Sequence, residues 1–88
     1  MRILELYTHG GCPSREFAVR SIQKAIEDYP DISFRIIDML DCPDKAQAAG
    51  VRMSPTLVLD GKIISIGTPE EKRLREILEV RQERPAER

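Results

Sequence analysis

Two cysteines stand in the same local setting, each followed by proline: Cys12-Pro13 and Cys42-Pro43. A cysteine does chemistry as its thiolate, which attacks a disulfide and forms a mixed disulfide. In "GGCPSR", residues 10–15, Cys12 opens what would be a C-x-x-C redox pair, but the second position holds Arg15. Whatever Cys12 does, it does without a thiol three residues on. A cysteine at a helix start meets the positive end of the helix dipole and unpaired N–H groups, and Arg15 adds a permanent positive charge one turn along. Both lower the thiol pKa from its free value of about 8.5. The competing reading is a small buried cysteine beside a helix, which is common. Its position at an electropositive helix end favours the reactive one. Arg15 itself is open to three roles: activating Cys12, binding an anionic group of a partner, or facing solvent.

Cys42 is the candidate for resolving a mixed disulfide on Cys12. That requires Cα atoms within about 4.4–6.8 Å. The alternative, a helix-cap residue that happens to be cysteine, is the favoured one. His9, three residues before Cys12, is either a proton carrier or a solvated loop residue. Tyr7 reads as packing. Two cysteines and one histidine are too few for a disulfide scaffold or a zinc site, so no metal is expected.

The elements that must position these groups follow from periodicity. "RILELY", from Arg2 to Tyr7, alternates as a strand with Ile3 and Leu4 on opposite sides. Cys12-Pro13 opens a helix, with Pro13 at the first helical position, where its missing N–H costs nothing. Phe17, Ala18, Ile22, Ala25, Ile26 and Tyr29 then make one apolar stripe. Pro30 ends that helix, and "ISFRIIDM", Ile32 to Met39, is a β-branched second strand. Cys42-Pro43 opens a short Ala-rich helix closed by Gly50. Strands over Thr56–Asp60 and Lys62–Ile66 are joined by Asp60-Gly61, a strong hairpin signal. In the last helix Thr68 is the N-cap, Pro69 the first residue and Glu71 the partner in a capping box, with Leu74, Ile77 and Leu78 facing inward.

The expected order is therefore β-α-β-α-β-β-α in one domain over residues 1–81, with a charged tail, 82–88, expected to be disordered. A right-handed first crossover makes strands one and two parallel. Both Cys-Pro junctions then leave the same edge of the sheet, where sites of open α/β sheets lie. Fourteen basic residues against fifteen acidic ones leave no basic excess to neutralise phosphates, which excludes nucleic acid as a partner. No apolar run reaches the eighteen residues that a membrane span needs, and "MRILELYTH" does not read as a signal peptide. A cytoplasmic protein with reduced thiols is expected, and a monomer.

Residues 2–80 carry a resemblance. The strand-Cys-Pro-helix opening, "MSPTLVLDGK" at Met53–Lys62 and the closing "IGTPEE" resemble the thioredoxin superfamily, in particular its compact glutaredoxin-like members. The fold so implied is α/β and thioredoxin-like, with a four-stranded mixed sheet flanked by helices. By that resemblance Cys12-Pro13 sits where the family has its attacking thiol. Pro55 sits where it has a cis-proline, beside which Ser54 offers its backbone to an extended substrate. Proline at a strand start fits independently, since it cannot donate to a ladder. Two departures stand out. Arg15 removes the second active-site cysteine. "IGTP" lacks the Gly-Gly-acid pattern with which many glutaredoxins hold glutathione, though Glu70 and Glu71 are close by.

The expected activity is thiol–disulfide exchange through Cys12 on a protein disulfide or a small thiol. No cofactor is required, glutathione being the one small molecule left open. A redox-inert adaptor, binding a protein partner along the same sheet edge, is the alternative.

Overall fold

The computed structural model describes residues 1–80. The tail expected to be disordered, 82–88, lies outside the described residues. Seven elements follow one another: β1 (Arg2–Thr8), α1 (Arg15–Ala25), β2 (Ile32–Asp38), α2 (Pro43–Ala48), β3 (Thr56–Leu59), β4 (Lys62–Ile66) and α3 (Glu71–Val80). The sheet runs β2-β1-β3-β4. β1 and β2 are parallel, with Leu6 beside Ile36 and Thr8 beside Asp38, while β3 and β4 run antiparallel to their neighbours.

Alternation along β1 divides the core in two. Leu4 and Leu6 point to one face and pack with Ala18, Ile22 and Ala25 of α1 and Leu74 and Leu78 of α3. Tyr7 points to the other and packs with Ile37, Val58 and the α2-side residues Ala46 and Val51. The molecule thus has three layers: α1 with α3, the sheet, then α2. β3 is buried along its whole length because both its faces are covered.

Two turns show why these residues stand where they do. Asp60 and Gly61 adopt φ values of 49° and 86°, the positive pair that a tight hairpin between twisted strands demands. The Asp60 carboxylate also accepts the Ile3 N–H at 2.8 Å, and its own N–H donates to the Ile3 carbonyl at 2.8 Å. Gly50, at φ 80°, ends α2 as expected. The Val51 N–H donates to the Ala46 carbonyl and the Gly50 N–H to that of Gln47, closing the helix with two bonds.

Three local expectations are corrected. α1 starts at Arg15, with Ser14 as its cap, so Pro13 lies ahead of the helix. It occupies a turn closed by the Arg15 N–H on the Cys12 carbonyl at 3.2 Å, whose second position suits the fixed φ of proline. α3 starts at Glu71, with the Leu74 N–H on the Glu70 carbonyl at 2.9 Å, so Thr68 is not its cap. The Glu71 carboxylate accepts from Arg75 Nε at 3.2 Å, one turn ahead, instead of reaching back. Phe17 is 57% exposed: the buried row is Ala18, Ile22 and Ala25, and Phe17 stands about 100° off it.

Arg2 escaped the sequence reading. It is fully buried, donating from Nε to Asp31 at 2.8 Å and from Nη1 to the Leu78 carbonyl at 2.8 Å, with Tyr29 5.5 Å beneath the guanidinium. It ties the start of β1 to the last turn of α3, at the end of the sheet remote from Cys12. Arg2 in turn holds the Asp31 carboxyl below its usual pKa, chiefly by that hydrogen bond.

Candidate thiol site

Thr8 ends β1 on the α1 side of the sheet, in line with Leu4 and Leu6, and is buried. The chain then turns at once: the Cys12 N–H donates to the His9 carbonyl at 3.1 Å across Gly10 and Gly11. That turn sets the half-exposed Cys12 immediately before the Pro13 turn and the start of α1. From the other side comes the loop before β3. The Ser54–Pro55 bond is cis, and the Pro55 carbonyl accepts the Gly67 N–H at 2.7 Å. Ser54 Oγ lies 3.1 Å from Thr8 Oγ1. Thr56 secures the same loop by donating from its hydroxyl to the Met53 carbonyl at 2.6 Å.

The thiol meets this frame from within. A hydrogen bond from the Ser54 hydroxyl is the largest influence on Cys12, and it lowers the thiol pKa below the ordinary value. Partial burial opposes it; the Ser14 amide, the Thr8 hydroxyl and the Arg15 amide add to it. All of these donors stabilise charge on sulfur more than the neutral thiol. Arg15 therefore acts here through its backbone N–H. Arg15 also lines a groove of about 590 Å³ that takes in Cys12, Val19, Arg20 and Ile36 of β2.

Thr8 is the site residue that sequence reasoning missed. Strand alternation carried the signal: every second residue from Leu4 faces α1, and Thr8 is the first with a hydroxyl. His9 gives its carbonyl to the turn, and its ring lies along Gly11, whose Cβ position is 3.6 Å from Nδ1.

Both cysteines are free. Cys42 caps α2, exposed, close enough to the Tyr7 phenol to influence it. Burial, with Glu5 and then Cys42 adding, pushes Tyr7 up to about 12. Tyr7 faces α2 and Thr8 faces α1, so the thiols share one edge of the sheet but stand on its opposite faces. No group of His, Cys, Asp and Glu among the described residues could hold a metal ion, and none of the described helices is long and apolar enough to cross a membrane.

A mixed four-stranded sheet, a cysteine leading into its first long helix and a cis-proline loop facing that cysteine together define a thioredoxin-like fold. A thioredoxin domain model matches residues 2–79 of the chain. A thioredoxin from Methanocaldococcus jannaschii is 30% identical over 79 residues, which span 89% of this chain and 93% of that protein. Among solved structures, a mutant thioredoxin from Halobacterium salinarum NRC-1 aligns with a TM-score of 0.79 at 27% identity, over 93% of this chain and 75% of that one. Oxidised mitochondrial thioredoxin 3 from Saccharomyces cerevisiae aligns with a TM-score of 0.74 at 26% identity, over 90% and 77%. The chain belongs to the thioredoxin domain family. At the level of that family, its function is thiol–disulfide redox chemistry.

Proposed function

We propose that this protein carries out thiol–disulfide exchange with Cys12 as its single nucleophile. The observation that supports this most is the placement of a half-exposed Cys12 directly before the turn into α1, with the Ser54 and Thr8 hydroxyls of the cis-proline loop and β1 beside it, a setting that lowers its pKa. A binding-only adaptor gains nothing from an ionised thiol.

In the first step the Cys12 thiolate attacks one sulfur of a partner disulfide. The partner S–S bond breaks as the new one forms, and the departing sulfur leaves as a thiolate that takes a proton from water. The partner's backbone lies along Ser54 and Pro55. In the second step a further thiol attacks the mixed disulfide and releases Cys12. Arg15 occupies the place of a local resolving thiol, and Cys42 stands across the sheet. Resolution therefore falls to an external thiol, with glutathione as one candidate, and the protein works as a cytoplasmic monomer without a bound cofactor. The seven-element order supports the compact, glutaredoxin-like version of the fold.

The test is reduction of 2-hydroxyethyl disulfide by the full chain with an excess of reduced glutathione or dithiothreitol. Cys12→Ser is expected to abolish turnover, and Cys42→Ser to retain it. Equal loss in both variants, or no turnover by the unmodified protein, contradicts a single-thiol exchanger.

A further inference from the structure

Two arginines, Arg15 and Arg20, line the same groove as Cys12, and neither side chain has a hydrogen bond or ion pair among the described residues. The other arginines and lysines with hydrogen bonds or ion pairs among the described residues lie elsewhere: Arg2 on Asp31, Arg75 on Asp28 and Glu71, Lys45 on Glu5. Arg15 and Arg20 instead line the groove that takes in Cys12, and Glu16 is the one carboxylate among its walls. Val19 and Ile36 give the same groove an apolar wall, Ile36 being 43% exposed. At about 590 Å³ it has room for several side chains. It reaches Ile36 of β2, whereas the Ser54-Pro55 loop approaches Cys12 from the β3 side.

Resting on the exchange mechanism above, we infer that this groove selects protein disulfides whose cysteine is flanked by acidic and apolar residues. The carboxylates lie against Arg15 and Arg20, and the apolar side chain against Val19 and Ile36. Two observations favour a polypeptide over a small anionic disulfide. The groove joins an apolar wall to a basic one over a volume larger than two carboxylates need, and it continues away from the loop that would hold the partner's backbone.

The chemistry makes the expectation sharp. A thiolate repels an anionic disulfide, so a bare thiol would react more slowly with an acidic peptide than with a neutral one. The net charge of the chain, −1, works in the same direction. A preference for the acidic peptide therefore has to come from the local cations. When Cys12 attacks, the peptide S–S bond breaks, a Cys12–peptide disulfide forms, and the second peptide leaves as a thiolate. No other oxidant or reductant enters.

The test uses symmetrical disulfide dimers of three short peptides, in which a cysteine is followed by Asp-Asp-Leu, Ser-Ser-Leu or Lys-Lys-Leu. The rate of Cys12 adduct formation is followed by acid quench and intact mass. The acidic peptide is expected to react roughly two- to thirtyfold faster than the serine one, from two exposed ion pairs at about 0.2–1 kcal/mol each. The lysine peptide is expected to be the slowest. Raising salt compresses the spread, and the acidic-to-serine ratio falls to about one or below in a combined Arg15→Gln, Arg20→Gln variant. Because a ratio is read, any general effect on the thiol cancels. A ratio of one or less in the unmodified protein overturns the inference, as does a ratio unchanged in the variant. So does selectivity for 3,3′-dithiodipropionate over 2-hydroxyethyl disulfide with none among the peptides, which points to small anionic thiols. In each case adducts with the serine peptide leave the exchange mechanism standing. No adduct with any peptide removes both.

Discussion

A thiol accepts hydrogen bonds weakly and a thiolate accepts them strongly, so donors gathered at Cys12 select the charged form. Two of those donors are hydroxyls in contact with each other, Ser54 and Thr8, which share their protons at 3.1 Å. Each carries a single proton, so the hydroxyl that donates to sulfur accepts from the other, and the second acts on sulfur through the first. Ser54→Ala is expected to raise the Cys12 pKa, and Thr8→Val to raise it by less, following the order of their influence. Thiolate absorbance titrations of the two variants check this; unchanged curves in both would remove the hydroxyl pair from the account. The position of Cys12 just ahead of α1 was legible in the sequence because Cys-Pro after a strand marks a helix end. Its hydroxyl partners were less so. Ser54 came from the family resemblance alone, and Thr8 required knowing that β1 turns its even residues towards α1.

Elements place these residues, and their boundaries were the least legible part of the sequence. The apolar stripe of α1 was read correctly at Ala18, Ile22 and Ala25 but extended to Phe17, because periodicity alone does not show how wide the covering layer is. The two proline-led helix starts at Pro13 and Pro69 were placed two residues early. A proline fits the turn before a helix as well as its first position, and only the hydrogen bonds separate the two. Arg2 was missed altogether, since a charged residue at a strand start reads as exposed until α3 closes over it. Arg2→Ala is expected to cost about 3 kcal/mol in urea unfolding, through the orphaned Leu78 carbonyl and the lost packing. A change below about 0.5 kcal/mol, the size of an ordinary surface substitution, would contradict a buried clasp. The sign with pH follows: Asp31 has a lowered pKa, so its stabilisation is present above the ordinary carboxylate range and fades as pH falls through its folded value. Acid sensitivity should therefore be reduced in the Arg2 variant. Gly50→Ala is expected to cost about 1 kcal/mol from its positive φ alone, because the nearest atom to the added Cβ is Ile63 Cδ1 at 3.8 Å. A neutral substitution would contradict that.

At the scale of the molecule, the order of elements and the mixed sheet were legible throughout, because each strand and helix declares itself by period and by Gly or Pro punctuation. The sequence also implied that both thiols reach one sheet edge. That they face opposite layers depends on which side of the sheet each crossover takes, which local patterns do not encode. Mild oxidation is therefore expected to give Cys12-linked dimers or adducts, read by intact mass; a monomer lighter by two hydrogens would contradict the layering. Tyr7 adds an alkaline limb. Its pKa is raised to about 12, so its stabilisation is complete below the ordinary phenol value and is lost as pH rises through the folded one.

The most direct measurement is the rate of Cys12 alkylation by iodoacetamide against pH in a Cys42→Ser background, where one thiol reports. A sulfur held by these hydroxyl and amide donors gives a curve centred below the free-cysteine value of about 8.5. A curve centred at or above that value, with Cys12 reacting like a free or buried thiol, would contradict the account at its root.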